Sequence, residues 1–287
     1  MNQFQTGDGA TLHYEVIGSG RPVVLLHGWT SSHREWLYYA TQLSGSGRFL
    51  CWDARGHGFR KQPADAEPPT VGRMAEDLFE LIRHEQLQAP VLLGHSMGAL
   101  TAWEHIGRYG TDHLGGLVLI DQSPRLVTDQ DWDLGIYGAF DADHNTRFIE
   151  ALETDFAEAV LRLAAYGYNT KVRERYEADS GGFRMLREFL REMDAGPLIE
   201  CWRSLAAADY RAVLPKIDVP TLLIYGDQSQ FYSLEVAEFV RSAIPNAQLE
   251  VYRNSDHSPH LWQRDRFLAD MKRFLADLDR VSCPTNK

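Results

Sequence analysis

The sequence predicts an α/β fold with a mostly parallel central sheet, helices on both faces and a helical insertion. Short apolar segments alternate with amphipathic helical segments through the first 120 residues. The alternation stops near residue 125, and helical periodicity alone continues to about residue 209. It then resumes toward the end of the 287-residue chain. Strands that alternate with helices are typical of βαβ units, whose strands are parallel.

The predicted strands are short apolar segments bounded by Gly, Pro or Asp. Segments of this kind, rich in branched side chains, favour strands that are buried on both faces of a parallel sheet. Residues 12–17 alternate between apolar and polar side chains, which predicts part of an antiparallel edge pair. The other predicted strands cover residues 23–26, 49–52, 90–93 and 117–120 before the insertion, and 220–225 and 248–252 after it.

The predicted helices carry apolar residues at intervals of three or four. In the insertion this spacing recurs in three stretches, and the pair Gly181-Gly182 indicates a break. We therefore expect one core domain, formed by residues 1–124 and 210–287, that a lid at residues 125–209 interrupts. The helices predicted for the core cover residues 33–43, 73–84, 97–109, 234–243 and 264–280.

Composition and charge exclude several classes of protein. With 29 basic and 40 acidic residues the formal net charge is −11, whereas a nucleic-acid partner would need a basic face. No apolar run approaches the roughly 20 residues of a membrane span, and the N-terminus shows no signal peptide. Cys51, Cys201 and Cys283 are scattered and odd in number, as expected of free thiols in a reducing compartment. We expect a cytoplasmic monomer or homodimer without a membrane partner.

The motif Gly94-His95-Ser96-Met97-Gly98 follows a predicted strand and begins a predicted helix. In this context G-x-S-x-G is typical of a nucleophile elbow, a strained turn that exposes the serine hydroxyl. Glycine is required where such a turn brings two backbones close together. The helix N-terminus also favours the negative charge that develops in acyl transfer. Ser96 is therefore the candidate nucleophile.

A second motif, Leu26-His27-Gly28-Trp29, follows the strand at residues 23–26. In folds with a nucleophile elbow, one amide of the oxyanion hole comes from this loop and the other from the residue after the nucleophile. The candidate donors are thus the backbone N–H groups of Trp29 and Met97. We also expect the Trp29 ring to line the substrate pocket.

A serine nucleophile needs a general base, and the chain has 11 histidines. His257 follows the last predicted strand, and a loop at that edge of the sheet can reach Ser96. His260, three residues later, is the alternative candidate for the base. If the loop becomes helical there, His260 instead lines the pocket or packs beneath it. His95 is a further candidate for substrate binding, although its place in the elbow also suits a structural role. No HExxH or other metal-ligand spacing is present, so we expect neither a metal nor a cofactor.

Together these segments resemble the α/β-hydrolase superfamily over essentially the whole chain. The early part is similar to bacterial arylesterases and to cofactor-free haloperoxidases or perhydrolases. The resemblance implies a Ser-His-acid triad and a small-molecule, ester-like substrate. The matching segments are LLHGW at 25–29, DARGHGF at 53–59, GHSMGA at 94–99, LVLIDQSP at 117–124, LLIYGDQSQFY at 222–232 and DHSPHLWQRDRF at 256–267.

The chain departs from the family at the triad acid. Many members carry it three residues after the glycine that corresponds to Gly226, where this chain has Ser229. Some α/β-hydrolases take the acid from the end of an earlier strand, and Asp121 lies at that position. One esterase subgroup is similar in pairing such an acid with a serine at the later site. We therefore expect Asp121 to be the acid and Ser229 to be an auxiliary group that bonds near it.

Two other carboxylates remain in question. Asp227 is the alternative acid, but it lies only one residue after Gly226, so its side chain is expected to point differently. Asp256 adjoins His257 in sequence and is badly placed to bond the far nitrogen of that ring. If none of these residues serves, the site lacks its acid.

The expected activity is hydrolysis of a carboxylic ester with a small to medium, partly apolar acyl or aryl group, through an acyl-enzyme. Lactone hydrolysis, perhydrolysis and carbon–carbon bond hydrolysis use the same triad and are alternatives. A further alternative is that the protein is a non-catalytic, ligand-binding relative of the α/β-hydrolases. The absence of an acidic residue at position 229 favours this alternative. Serine at position 96 argues against haloalkane dehalogenation and epoxide hydrolysis, which need an aspartate nucleophile.

Overall fold

The computed structural model describes residues 1–59, 63 and 66–282, and it confirms the predicted α/β fold. Its eight strands are β1 Asn2–Gln5, β2 Thr11–Gly18, β3 Pro22–Leu26, β4 Arg48–Asp53, β5 Val91–His95, β6 Gly116–Ile120, β7 Thr221–Gly226 and β8 Ala247–Tyr252. They form one sheet in the order β1-β2-β4-β3-β5-β6-β7-β8. β1 pairs with β2 and β2 with β4 in antiparallel fashion, and all later neighbours are parallel.

The predicted core helices are all present, with bounds that shift by at most two residues. The helices are α1 Arg34–Gln42, α2 Val71–His84, α3 Met97–Tyr109, α4 Ala142–Thr154, α5 Phe156–Ala165, α6 Thr170–Glu177, α7 Gly181–Arg191, α8 Ala195–Ala207, α9 Leu234–Ala243, α10 Pro259–Trp262 and α11 Arg264–Ser282. Every parallel connection between β3 and β8 passes through at least one of these helices, as βαβ units require.

Both faces of the parallel strands are covered, which explains why their sequences are continuously apolar. In β3, Val24 and Leu26 pack in a cluster with residues of α2 and α3. Val23 and Leu25 belong to a second cluster with residues of α1 and α11. Successive side chains of a strand point to opposite faces, so a strand between two helical layers has no solvent-facing position.

Five helices, α4 to α8, lie between β6 and β7, where the sequence predicted helices alone. The helical part is shorter than the predicted insertion, because residues 125–141 form turns and a short 3₁₀ helix at Ile136–Gly138. The glycine break falls at the start of a helix, since α7 begins at Gly181. An isolated bridge joins Arg125 to Asp209, where the chain leaves the sheet layer and returns to it.

The sheet also fixes where a site can form. β3, β5, β6, β7 and β8 are parallel neighbours, so their carboxyl ends meet at one edge. The segments at or just after those ends contain Gly28, Ser96, Asp121, Ser229 and His257. Ligands bind at this edge of open α/β sheets because the loops after successive strands converge there.

A buried ion-pair network ties the loop after β4 to α2 and to the N-terminal turn. Arg55 is fully buried and donates from Nε and Nη2 to the two carboxylate oxygens of Asp77, at 2.7 Å each. Its Nη1 donates to Asp8 at 2.8 Å. Arg73 Nε also donates to Asp77, at 3.1 Å. Asp77 is therefore the shared counter-charge of two arginines.

Replacing Asp77 by alanine is expected to lower the free energy of unfolding by about 3–5 kcal/mol, because the buried Arg55 would lose the two hydrogen bonds that the Asp77 carboxylate accepts. Guanidinium chloride denaturation at pH 7 measures the change. The matched control is Glu76→Ala, the neighbouring acid, whose exposed side chain pairs with Arg73 at 2.9 Å. That variant is expected to lose less than about 1 kcal/mol. Equal losses in the two variants would contradict the assignment of the network.

Cys51 and Cys201 are buried free cysteines. Burial raises the pKa of the Cys51 thiol to about 12, which keeps it protonated and unreactive at neutral pH. Cys283 lies outside the residues that the structure describes. Within the described part of the chain, no helix combines the length and the apolar character needed to cross a membrane.

Candidate active site

The nucleophile motif lies between β5 and α3, as predicted. Ser96 has φ 52° and ψ −117°, a conformation that costs a non-glycine residue free energy and that tight packing must maintain. The packing is visible at the flanking glycines. A Cβ atom at Gly94 would lie 2.4 Å from the Gly98 carbonyl oxygen, and one at Gly98 would lie 2.2 Å from the Leu26 carbonyl oxygen. The glycines therefore let the turn press against β3 and hold Ser96 in its strained conformation.

The Met97 N–H group points out of the N-terminus of α3. The Ser96 carbonyl accepts the N–H groups of Ala99 at 2.8 Å and of Leu100 at 3.3 Å. A trans peptide holds its carbonyl and N–H in opposite directions, so the Met97 N–H points away from the helix. In the described part of the chain no protein group accepts this hydrogen, which leaves it available to a ligand.

The Trp29 N–H group lies in the loop after β3, and the peptide that carries it is also held through its carbonyl. The carbonyl of the preceding residue, Gly28, accepts from His27 Nδ1 at 2.8 Å and from Ser31 N–H at 3.1 Å. His27 Nε2 in turn accepts the Ala54 N–H at 3.1 Å, which fixes the tautomer that carries its proton on Nδ1. Burial lowers the pKa of His27, so the ring stays neutral as this arrangement requires. His27 thus has a structural role in this loop.

His257 lies in the loop after β8, and its ring is oriented by a carboxylate. Nδ1 of His257 is 2.9 Å from Asp121 Oδ1. The backbone N–H of His257 donates to Gln230 Oε1 at 3.1 Å. The ring packs edge-on against Phe231, with centroids 4.6 Å apart. With Nδ1 donating to a carboxylate, Nε2 is the nitrogen that can accept a proton.

Asp121 is fully buried and receives three hydrogen bonds. Besides His257, Ser229 Oγ donates to Oδ1 at 2.8 Å, and the Gly226 N–H donates to Oδ2 at 2.8 Å. The backbone of Asp121 has φ 45°, a left-handed conformation that aspartate tolerates better than most residues. Three hydrogen-bond donors compensate the burial of the carboxylate.

The two other aspartates do not bond the His257 ring. Asp227 Oδ1 accepts the Asn254 N–H at 2.6 Å and closes the turn after β8. Asp256 Oδ1 accepts the Ser258 N–H at 2.8 Å. The geometry thus pairs His257 with Asp121 and places Ser229 in the auxiliary position that the sequence suggested.

A cavity of about 380 Å³ brings the candidate residues together. Ser96, Met97, Trp29 and His257 all line it. The wall on the insertion side is apolar, and the polar groups of the lining lie mainly on the sheet side. The apolar wall consists of Leu126, Ile136, Val160, Leu163, Ala164, Leu186, Trp202 and Leu205, and the polar groups include Ser31, Gln122, Gln230 and Tyr232.

The Trp29 side chain connects the loop after β3 to the insertion. Its Nε1 donates to the Leu198 carbonyl at 3.0 Å. Its ring contacts Trp202 and Phe156, with centroids 4.9 and 5.8 Å apart. Trp29 therefore lines the cavity, as predicted, while its ring is held by α8 and α5.

The prediction that His260 lines the substrate pocket is wrong. α10 begins at Pro259, and this turn directs the His260 ring into the core, where it is fully buried and stacks on Trp36. His260 Nε2 lies 3.1 Å from Glu35 Oε1. His95 does line the cavity, but its two ring nitrogens already have partners, at 2.7 Å from Glu35 Oε1 and 3.0 Å from the His257 carbonyl oxygen.

Sequence analysis missed Glu35, Gln122 and Gln230. Glu35 directly precedes the buried Trp36 in α1, and an acidic residue next to a core position is the sequence feature that could have indicated it. Among the described residues, one cluster of side chains has the composition and spacing of a metal site. It consists of Glu35, His95 and His260, whose potential ligand atoms all lie within 4.8 Å of one another. Direct hydrogen bonds from the rings to the carboxylate already account for these contacts.

Comparisons with known proteins agree with the α/β-hydrolase fold. A family model described as alpha/beta hydrolase fold matches residues 21–263. The chain is 29% identical over 279 residues to a non-heme chloroperoxidase of Kitasatospora aureofaciens, covering 94% of this chain and 98% of the relative. It is 25% identical over 267 residues to a pimeloyl-[acyl-carrier protein] methyl ester esterase of Vibrio atlanticus, covering 92% and 98%.

Among solved structures, an esterase from Exiguobacterium antarcticum superposes with a TM-score of 0.80 at 26% identity. The match covers 96% of this chain and 98% of the esterase chain. The likeness therefore spans the core and the insertion together.

Proposed function

The chain belongs to the alpha/beta hydrolase family, and from this premise we propose that it hydrolyses carboxylic esters through an acyl-enzyme on Ser96. The observation that carries the proposal is the hydrogen-bonded pair of His257 and Asp121 beside a strained serine in one cavity. The names of similar proteins, which include a methyl ester esterase and an esterase, support ester hydrolysis.

In the acylation step, His257 Nε2 takes the hydroxyl proton of Ser96 while Ser96 Oγ attacks the ester carbonyl carbon. The N–H groups of Trp29 and Met97 donate to the resulting oxyanion; in such sites the loss of one donor raises the barrier by roughly 3–4 kcal/mol. Asp121 keeps the His257 proton on Nδ1 and stabilises the imidazolium. His257 then protonates the leaving alkoxide, and the alcohol departs.

In the deacylation step, the same groups act on water. His257 Nε2 takes a proton from water as the hydroxide attacks the acyl carbon. The second tetrahedral intermediate collapses when His257 returns that proton to Ser96 Oγ. The carboxylic acid is released and the free enzyme is restored.

The cavity supports a substrate with a partly apolar acyl or aryl group. Most of its wall on the insertion side is aliphatic or aromatic, whereas the rest of the lining also contains polar groups such as Gln122 and Gln230. A volume of about 380 Å³ suits small to medium substrates rather than long acyl chains.

Filling the cavity tests this substrate class. Ala164→Trp is expected to lower kcat/KM for p-nitrophenyl octanoate at least about tenfold while p-nitrophenyl acetate loses less than about threefold, because the larger acyl group needs the space. Steady-state hydrolysis of the two esters measures the ratio. Ala151→Trp, on the exposed face of α4, is the control and should leave the ratio unchanged.

Release of one equivalent of p-nitrophenol without further turnover would contradict an esterase and favour a ligand-binding relative. Equal losses on the two esters in Ala164→Trp would contradict the assignment of the cavity to the acyl group.

A second candidate activity is perhydrolysis, favoured by the likeness to a non-heme chloroperoxidase. In this reaction the acyl-enzyme passes its acyl group to hydrogen peroxide rather than to water. A carboxylic acid and hydrogen peroxide thus give a peracid and water. Peracid formation from acetate and hydrogen peroxide, compared with ester hydrolysis at the same enzyme concentration, distinguishes the two.

A further inference from the structure

A buried carboxylate outside the triad contacts three segments of the site. Glu35 Oε2 accepts the N–H of Gly28 at 3.1 Å, in the loop that carries the Trp29 amide. Glu35 Oε1 accepts from His95 Nδ1 at 2.7 Å, in the residue before Ser96, and from His260 Nε2 at 3.1 Å, in α10. Its side chain is only 6% exposed. Nothing in the proposed acyl transfer uses this carboxylate directly.

The partners of His95 define the charge of its ring. One ring nitrogen faces the Glu35 carboxylate and the other faces the main-chain carbonyl oxygen of His257, at 3.0 Å. The main-chain carbonyl and an ionised Glu35 are acceptors only, so both nitrogens must carry hydrogen to make the two bonds. A neutral imidazole has a single N–H and would leave one of these contacts as two facing lone pairs.

His95 thereby supports the backbone of the proposed base. The His257 carbonyl accepts from His95 Nε2, and the His257 N–H donates to Gln230 Oε1 at 3.1 Å. These two bonds hold the main chain of His257 on both sides, independently of the bond between its ring and Asp121. The residue that precedes the serine is therefore bonded to the residue that activates it.

We propose that Glu35 and His95 form a buried ion pair whose two ends position the oxyanion loop, Ser96 and His257 relative to one another. This inference rests on the proposed acyl transfer for its catalytic consequence. Both are positioning residues, because they act through the backbone of Gly28 and of His257.

The electrostatics of the pair agree with the geometry. Burial disfavours both charges. Burial alone would lower the pKa of His95, but the charge of Glu35 together with the hydrogen bonds to Glu35 and to the His257 carbonyl raises it. His95 and the hydrogen bond from His260 likewise hold the pKa of Glu35 well below its usual value. Burial lowers the pKa of His260 to about 4, so this ring is neutral and donates one N–H.

The sign of the pH dependence follows from the raised pKa of His95. The groups that face His95 are Glu35 from α1, His260 from α10, His257 from the loop after β8 and Asp121 from the end of β6. A histidine whose pKa is higher in the folded than in the unfolded chain stabilises the fold fully below the unfolded value. This stabilisation is lost as the pH rises through the folded value. We therefore expect an alkaline decline of kcat and of stability that depends on Glu35.

The experiment compares the full-length wild type with Glu35→Gln, which keeps the shape and removes the charge. The ring nitrogens of His95 are observed by ¹⁵N NMR, with the His95→Gln variant used to assign them. At pH 7.5 both nitrogens of His95 should be protonated in the wild type and only one in Glu35→Gln. On p-nitrophenyl acetate, kcat of Glu35→Gln should fall about 100-fold with little change in KM, because the reacting groups lose their mutual placement. The alkaline decline of kcat should move to lower pH.

Two further variants exclude a merely structural role. Glu35→Asp retains the charge and is expected to keep His95 doubly protonated and to recover part of the lost kcat. Glu238→Gln, an exposed glutamate of α9, is the matched control and should behave as the wild type. If Glu35→Gln does not fold, the NMR titration of the wild type still decides the charge of His95.

A neutral His95 in the wild type at pH 7.5 would overturn the inference, and so would a kcat of Glu35→Gln within about twofold of the wild type. These outcomes are distinct from a failure of the proposed function. An active Ser96→Ala variant would contradict the acyl transfer, whereas the NMR readout of the ion pair needs no turnover.

Discussion

Replacing Ser96 by alanine is expected to lower kcat on p-nitrophenyl acetate by roughly 10⁵–10⁶-fold, because it removes the hydroxyl that we propose forms the acyl-enzyme. The strained turn holds the Ser96 hydroxyl in the cavity that His257 also lines. The pre-steady-state burst of p-nitrophenol should disappear entirely. A small residual rate is expected, since the oxyanion amides remain in place and still favour attack by water.

Ser31→Ala is the matched control, because Ser31 lines the same cavity without belonging to the strained turn. Its burst should match that of the wild type, and its kcat should change by less than about tenfold. A burst that survives in Ser96→Ala would contradict the assignment of the nucleophile. Mass spectrometry of enzyme quenched during turnover gives an independent check, since the acyl mass should lie on the peptide that contains Ser96.

Replacing Asp121 by asparagine is expected to lower kcat by roughly 10⁴-fold with a small effect on KM. The Gly226 N–H donates to one carboxylate oxygen of Asp121, so the amide oxygen of the variant will take that place. Its NH₂ group then faces His257 Nδ1 and donates to it. The proton of His257 moves to Nε2, and the ring can no longer accept the proton of Ser96.

A second substitution tests whether the carboxylate can be supplied from position 229. Ser229 Oγ lies 2.8 Å from Asp121 Oδ1, so Ser229→Asp in the Asp121→Asn background returns a negative charge to the same place. The double variant should recover at least about tenfold in kcat over Asp121→Asn. Asp227→Asn is the control and should stay near the wild-type rate, since Asp227 bonds only the turn after β8. A large loss in Asp227→Asn would show that the acid is misassigned.

The sequence predicted the core of the fold because both faces of the central strands are buried. Strands of this kind have almost no solvent-exposed positions and are therefore mostly apolar, and β3, β5, β6 and β7 were predicted to within two residues. β1 is an edge strand with Phe4 as its single buried residue, so it left almost no apolar signal. Residues 125–141 carry apolar side chains without a regular period, because turns rather than a helix place Leu126 and Ile136 against the core.

The site was predictable where a local motif defines it. Ser96 and the two candidate amides were predicted from motifs of a few residues, and His257 from its place after a strand. Asp121 was predicted from the resemblance to α/β-hydrolases that carry the acid at the end of an earlier strand. Glu35 was not predictable in this way. Its partners His95 and His260 are 60 and 225 positions away in sequence, so the network exists only once the strand order has brought their loops together.

The attachment of Trp29 to the insertion limits how freely the insertion can be exchanged among related proteins. The backbone N–H of Trp29 is a proposed oxyanion donor, while its indole is bonded to Leu198 and packed on Trp202. A chimera that receives residues 125–209 from a relative would therefore change the support of the Trp29 loop along with the pocket wall. Exchanges that transplant residue 29 together with its contacts in α8 would keep the two parts matched. The insertion is therefore not an independent module, and we expect an exchange of it to change substrate specificity and turnover rate at the same time.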